Sequence, residues 1–133
     1  MPTNIALLLA RLLLAALFIP GGYGALTNIA GSASYFGGLG FPLPTLVAWS
    51  VGLFELIAGL LILVGFQTRP ASLLLAAFSA AAGVIGHYGQ GGGDPALVFM
   101  HSQALMKDIA IAGGFLALSV AGAGAFSIDA KRG

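Results

Sequence analysis

Four apolar stretches, each about long enough to cross a bilayer as a helix, alternate with short breaks rich in glycine, proline and polar residues. They run from about Thr3 to Leu26, Pro44 to Val64, Pro70 to Tyr88 and Leu97 to Val120; a hydrocarbon core about 30 Å thick takes about 20 helical residues to span. Pro2 and Pro44 lie near predicted helix starts and Pro70 opens the third span, where a missing N–H is harmless. Pro20-Gly21-Gly22, late in the first span, predicts a kink or early fraying. Between the first two spans, Asn28–Leu43 contains Ser32 as a candidate cap and the aromatics Tyr35, Phe36 and Phe41, which predicts a short interfacial helix or a re-entrant turn. Gly65–Arg69 is tight enough to make the second and third spans a hairpin, and Gly89–Pro95 reads as a flexible turn. From about Ala121 the tail leaves the membrane. The predicted fold is all-α: an integral-membrane four-helix bundle, one domain over residues 1–133, with a short interfacial segment between helices one and two.

Small residues mark where those helices approach closely, since lipid supplies no hydrophobic drive for helix association. Ser72, Ala76, Ala80 and Gly83 recur at helical spacing in the third span, Gly52 and Gly59 lie seven apart in the second, and Gly113-Gly114 is a candidate of the same kind in the fourth.

Composition supports the membrane reading. The chain is 59% hydrophobic and only 7% charged, where soluble domains carry about 25% charged residues. A net charge of +1 gives no basic footprint for nucleic acid. Cysteine is absent, which excludes disulfides, Cys-ligated metal centres and thiol redox chemistry by this chain. The first apolar stretch lacks a basic n-region and is interrupted by Arg11, so it reads as a retained helix rather than a signal peptide. Arg69, Lys131 and Arg132 fall on one side of the predicted topology and the opposite loops carry no Lys or Arg, which predicts that both termini are cytoplasmic.

Four charges remain inside the spans: Arg11, Glu55, Lys107 and Asp108. Each would cost roughly 2.5–3.5 kcal/mol near the bilayer centre on insertion scales, so each needs a partner or a purpose. Counted from the predicted helix starts, all four fall in the middle third of the membrane. The expected pairings are Arg11 with Glu55 or Asp108, and Lys107 with the remaining acid. On the fourth span His101 and Asp108, seven apart, share one face, and Gln103 and Lys107, four apart, share another. The cluster Arg11, Glu55, His101, Gln103, Lys107 and Asp108 is therefore a structural network fixing helix register or a site that handles a ligand or protons, with snorkelling, which Arg11 or Lys107 could do only partly from mid-membrane, as the third alternative. His87, closing the third span, is a secondary polar candidate. Two histidines without a third ligand are a weak metal signal, and a haem would need a gap between helices that nothing in the sequence provides; neither is expected. No phosphate-binding glycine loop and no acyl-transfer triad is present.

The order of these features resembles the DoxX family of small four-helix membrane proteins. The resemblance rests on Arg11-Leu12-Leu13-Leu14, Tyr35-Phe36 with Leu39-Gly40-Phe41-Pro42-Leu43-Pro44, Gly52-Leu53-Phe54-Glu55-Leu56-Ile57-Ala58-Gly59 and Gly65-Phe66-Gln67-Thr68-Arg69-Pro70. Leu105-Met106-Lys107-Asp108-Ile109-Ala110, Gly113-Gly114 and the tail Phe126-Ser127-Ile128-Asp129 complete it. Gly24-Ala25-Leu26-Thr27 lacks the lysine with which relatives often close the first helix. The resemblance implies association with respiratory or redox oxidoreductase systems in a prokaryotic inner membrane. The expected role is a membrane subunit or accessory protein, at most one subunit of an oxidoreductase, with a quinone or lipid-like ligand at the polar cluster. Its expected partners are the bilayer and either proteins of a redox complex or further copies of itself. The alternatives are a non-catalytic assembly or anchoring protein and a small transporter.

Overall fold

The structure, a computed structural model, describes residues 2–132. Among these residues it is entirely helical: α1 Pro2–Thr27, α2 Ile29–Gly38, α3 Pro44–Val64, α4 Thr68–His87, α5 Pro95–Ala121 and the single turn α6 Ile128–Lys131. Four of them, α1, α3, α4 and α5, are long and apolar enough to cross a membrane. These are the four predicted spans, and α2 is the short helix expected between the first two. The chain divides into two compact units, one formed by the residues up to Thr68 with the segment from Gly122 onward, the other by Arg69–Ala121.

In the first unit α1 and α3 run antiparallel at close range. Gly22 of α1 lies against Gly52 and Leu56, and Gly59 of α3 lies against Phe18 and Ile19. A Cβ placed on Gly22 would sit 2.5 Å from the Leu56 backbone nitrogen, an atom that cannot rotate away. Arg11, Ala15, Phe18 and Gly22, spaced four, three and four apart, make the buried stripe of α1. This packing also explains why, of the kink or early fraying expected at Pro20, the fraying does not occur: α1 stays helical through Pro20 to Thr27. Proline removes one hydrogen bond, whereas the next turn is held against α3 by Gly22.

The cap of α2 is Asn28, not Ser32. Because α1 ends at Thr27, Asn28 is the residue that leaves helical dihedrals, and its side-chain oxygen accepts from the Gly31 N–H at 3.1 Å. Ser32 lies inside the helix, its hydroxyl donating to the Ala25 carbonyl at 3.4 Å. At the other end of α3, Gly65 adopts the left-handed conformation (φ 71°). There the Gly65 and Phe66 N–H groups close on the Ile62 and Leu61 carbonyls at 3.2 and 3.0 Å.

In the second unit the small face of α4 is buried at Ser72, Ala76 and Ser79. Gly83 meets α5 directly, since a Cβ there would lie 2.7 Å from the Asp108 Cβ. Gly113 behaves differently from the sequence expectation: a Cβ on it would meet nothing within 4 Å. It is not a packing glycine in the described structure.

Replacing Gly22 with leucine should cost about 3 kcal/mol, the upper end of the usual penalty for overpacking. Gly113→Ala should gain about 0.5–1 kcal/mol by removing a helix-interior glycine. Unfolding of both variants in detergent micelles checks the contrast, which reverses if α1 and α3 are not in backbone contact.

Candidate functional site

Arg11 is 2% exposed and is the largest fully buried side chain among the described residues. Its guanidinium donates from Nε to the Ile62 carbonyl (3.0 Å) and from Nη2 to the Leu63 carbonyl (2.8 Å). Its Nη1 reaches the carbonyls of Ala123 (3.1 Å) and Phe126 (2.8 Å) in the tail. Ile62 and Leu63 belong to the last turn of α3, where carbonyls lack donors from a following turn; that of Ile62 is shared with the Gly65 N–H. Arg11 therefore caps α3 from the side and pins the tail across it. Its planar fork can serve several acceptors at once, and a positive charge is favoured at a helix C-terminus.

Asp129 secures the same end. Its Oδ1 accepts from the Gln67 N–H at 2.8 Å and its Oδ2 from the Thr68 N–H at 2.9 Å, while its own N–H donates to the Gly65 carbonyl at 2.8 Å. Thr68 opens α4, so a carboxylate from the tail fills the orphan donors of that helix start. Gln67 is one of two non-glycine residues with positive φ (51°) among the described residues, and its N–H is held by this contact. Burial pushes the Asp129 carboxyl up, but the hydrogen bonds from Thr68 and Gln67 and the charge of Arg132 outweigh it, leaving it below the ordinary value of 3.8. Asp129 also supplies counter-charge to Arg11. Arg69 repeats the device in the second unit, donating to the carbonyls of Ser119 (3.1 Å) and Val120 at the end of α5.

The expected pairing of Arg11 with Glu55 is not formed. Arg11 packs at the last turn of α3, whereas Glu55 sits at its middle, against Gly21 of α1, where a Cβ would lie 2.8 Å from Oε2. Ten residues of α1 separate those levels, about 15 Å along the axis. The depth count failed because α1 starts well beyond the end of α3, so its tenth residue lies level with a helix terminus. Among the described residues of its own unit Glu55 has no hydrogen-bond or ion-pair partner, and it is half-buried. It lines an open groove of about 410 Å³ between α1, α2 and α3. Gly21, Gly24 and Gly31 leave the groove's walls bare, while Asn28, Ser32 and Tyr35 bring polar atoms to it.

In the second unit three candidates meet. His87, the last residue of α4, places Nδ1 2.9 Å from Nδ1 of His101 on α5. Its Nε2 lies 3.8 Å from Oδ2 of Asp108. His101 and Asp108 share a face of α5, and His87 joins them from the facing helix. Gln103 and Lys107 lie on an exposed face of α5. Among the described residues Lys107 forms no ion pair. The sequence reading did not single out Asp129 or Asn28 as structural partners: Asp129 lies in a tail expected merely to leave the membrane, and Asn28 only opened the inter-helix segment. The serine two residues before Asp129, which caps α6 by accepting from the Ala130 N–H at 3.2 Å, was the available signal.

Arg11→Lys should destabilise the protein by at least about 2 kcal/mol, because one ammonium cannot reach four carbonyls and each buried acceptor left unpaired costs 1–3 kcal/mol. Asp129 has a depressed folded-state pKa, so its contribution is complete above 3.8 and is lost as pH falls through its lower folded value. Asp129→Asn should therefore flatten the acid limb of a stability-against-pH curve, and an unchanged limb contradicts the capping role.

The DoxX family model matches residues 6–88, the stretch from α1 through α4 that carries Arg11, Glu55 and the Thr68-Arg69-Pro70 helix start. The chain is 37% identical over 129 residues to inner membrane protein YqjF of Escherichia coli K12, covering 95% of this chain and 91% of that protein. It is 35% identical over 128 residues to inner membrane protein YphA of the same organism, covering 96% and 90% respectively. No solved structure matches it. Four spanning helices in this order, a family model covering more than half of the chain and two inner-membrane relatives along nearly its whole length make this a multi-pass membrane protein of the DoxX family.

Proposed function

We propose that this chain is an accessory membrane protein of a redox system in the bacterial inner membrane, and that it binds a quinone or lipid-like molecule in the groove beside Glu55. The observation that carries the reading is a carboxylate with no partner among the described residues of its own unit, midway along a spanning helix, opening onto a groove of about 410 Å³. That volume lies within the range of small-molecule pockets. The basic side chain that could have neutralised Glu55 within its unit, Arg11, is committed to backbone carbonyls. As a carboxylate Glu55 accepts from a quinol hydroxyl, and protonated it donates to a quinone carbonyl. Both redox forms of one headgroup thus find a partner there, with Tyr35 and Phe36 offering aromatic surface at the groove. The redox association itself rests on the family, and the orientation with both termini in the cytoplasm rests on Arg69, Lys131 and Arg132.

A second reading, an assembly or anchoring protein, draws on a different observation. Gln103 and Lys107 lie exposed near the middle of α5, and a charged face of that kind suits a partner helix carrying an acid.

The two are separated by thermal unfolding in nanodiscs with a short-chain quinone analogue. A ligand at 100 times its Kd stabilises by about 2.7 kcal/mol, and the wild type should show a rise of that order. Gly24→Leu should remove it without loss of basal stability, because a Cβ on Gly24 meets nothing within 4 Å and the side chain would fill the groove. Glu55→Gln should weaken it. The absence of any shift in the wild type overturns the ligand reading and leaves the anchoring one.

A further inference from the structure

We propose that Asp108, His87 and His101 form a proton relay along the α4–α5 hairpin, between the middle of the α5 span and the loop that joins the two helices. Asp108 is the fourteenth of the 27 residues of α5 and His101 the seventh. They lie two turns and about 10 Å apart on one face, with His101 nearer the loop. His87, at the end of α4, bridges them: Nδ1 is 2.9 Å from Nδ1 of His101, and Nε2 is 3.8 Å from Asp108 Oδ2. The two rings are 5.1 Å apart between centroids. Gly83 makes the arrangement attainable by letting Asp108 lie directly on α4, one turn before His87.

The contact between two Nδ1 atoms limits what the pair can hold. One of them must donate and the other accept, so the pair shares a single proton. The assignment that also serves Asp108 puts the shared proton on His101 Nδ1 and the second on His87 Nε2, facing the carboxylate. A proton reaching His101 Nε2 from loop water forms one N–H bond. The Nδ1 proton of His101 then passes to His87 Nδ1, and the Nε2 proton of His87 passes to Asp108 Oδ2, giving a neutral carboxylic acid. The gap of 3.8 Å is too short to hold a water and closes by a side-chain rotation of less than about 1 Å. The net change is one proton moved from a hydronium at the loop end, which becomes water, to Asp108 at mid-span, with each imidazole left neutral in its opposite tautomer. The same steps run backward for release.

The remaining ionisable groups of these two helices and their loop do not interrupt the path. Arg69 is bound at the opposite end to the Ser119 and Val120 carbonyls. Asp94 is occupied at the start of α5, accepting from the Ala96 N–H at 3.0 Å. Tyr88 is exposed, and Lys107, next to Asp108 in sequence, points about 100° away on an exposed face. A metal centre is the poorer reading of the same residues, because Asp108 faces the opposite nitrogen of His87 from the one that meets His101. The relay goes beyond the groove at Glu55 and does not depend on what binds there.

The test is a pH jump on the protein in nanodiscs, following the carboxylic C=O stretch of Asp108, assigned with Asp108→Asn, by time-resolved infrared spectroscopy. His101→Asn and His87→Asn should each slow protonation of Asp108 at least about tenfold, the lower range of general acid–base effects, with unchanged final amplitude. Added imidazole should restore the rate in His101→Asn. A merely structural role would change stability but not the rate or its rescue. Nitrogen NMR of the histidine-labelled wild type covers the case of a variant that fails to fold: one Nδ1–H···Nδ1 coupling is expected. Wild-type rates in both variants, or two uncoupled histidines in the wild type, overturn the relay.

Discussion

The buried guanidinium of Arg11 is the interaction on which the first unit depends. Any helix ending inside or beside lipid leaves carbonyls without donors, and in a bilayer no water stands ready to satisfy them. Arg11 supplies donors to Ile62 and Leu63 of α3 and to Ala123 and Phe126 of the tail. The capping of α3, the course of the tail and the placing of Asp129 all follow from that side chain. Once the tail is fixed, Asp129 can reach the Gln67 and Thr68 N–H groups at the start of α4. Three charges that look costly in an apolar chain, Arg11, Arg69 and Asp129, thus meet the sign that each helix end presents.

Removing those charges from consideration as chemistry changes what the remainder means. Glu55 is left in the groove of the first unit with no partner among that unit's described residues. Asp108 is left beside the His87 imidazole instead of a lysine. A carboxylate that merely fixed register would be expected to find a basic or donor group in its own unit, and Glu55 has instead the bare surface of Gly21. The division is physical: charges at helix ends complete hydrogen bonding that the backbone demands, and charges at helix middles do not.

Much of this was legible in the sequence. The four spans and the short helix after the first follow from apolar run length and from Pro44, Pro70 and Gly65 at helix boundaries. Gly52 and Gly59 identified a close helix interface because small residues at helical spacing have one main use in lipid. Depth was the weak inference. Counting residues from a helix start assumes that all helices begin at one plane, and α1 begins well before the level at which α3 ends, so Arg11 was placed beside Glu55 when it lies about 15 Å away. The tail was equally opaque, because Asp129 acts through contacts 61 and 62 residues distant in sequence. Ser32 lost its capping role to Asn28 because α2 starts at Ile29, about one turn earlier than a cap at Ser32 implies.

The central claim is that Glu55 is an unfilled partner site rather than one half of a structural ion pair. The most direct test is an experimental structure in native lipid nanodiscs, resolved well enough to show non-protein density beside Glu55. The account predicts a compact head within hydrogen-bond distance of the Glu55 carboxylate and a chain running along the groove past Tyr35 and Phe36. A dry groove, with Glu55 bonded to a basic side chain of this protein, would contradict it.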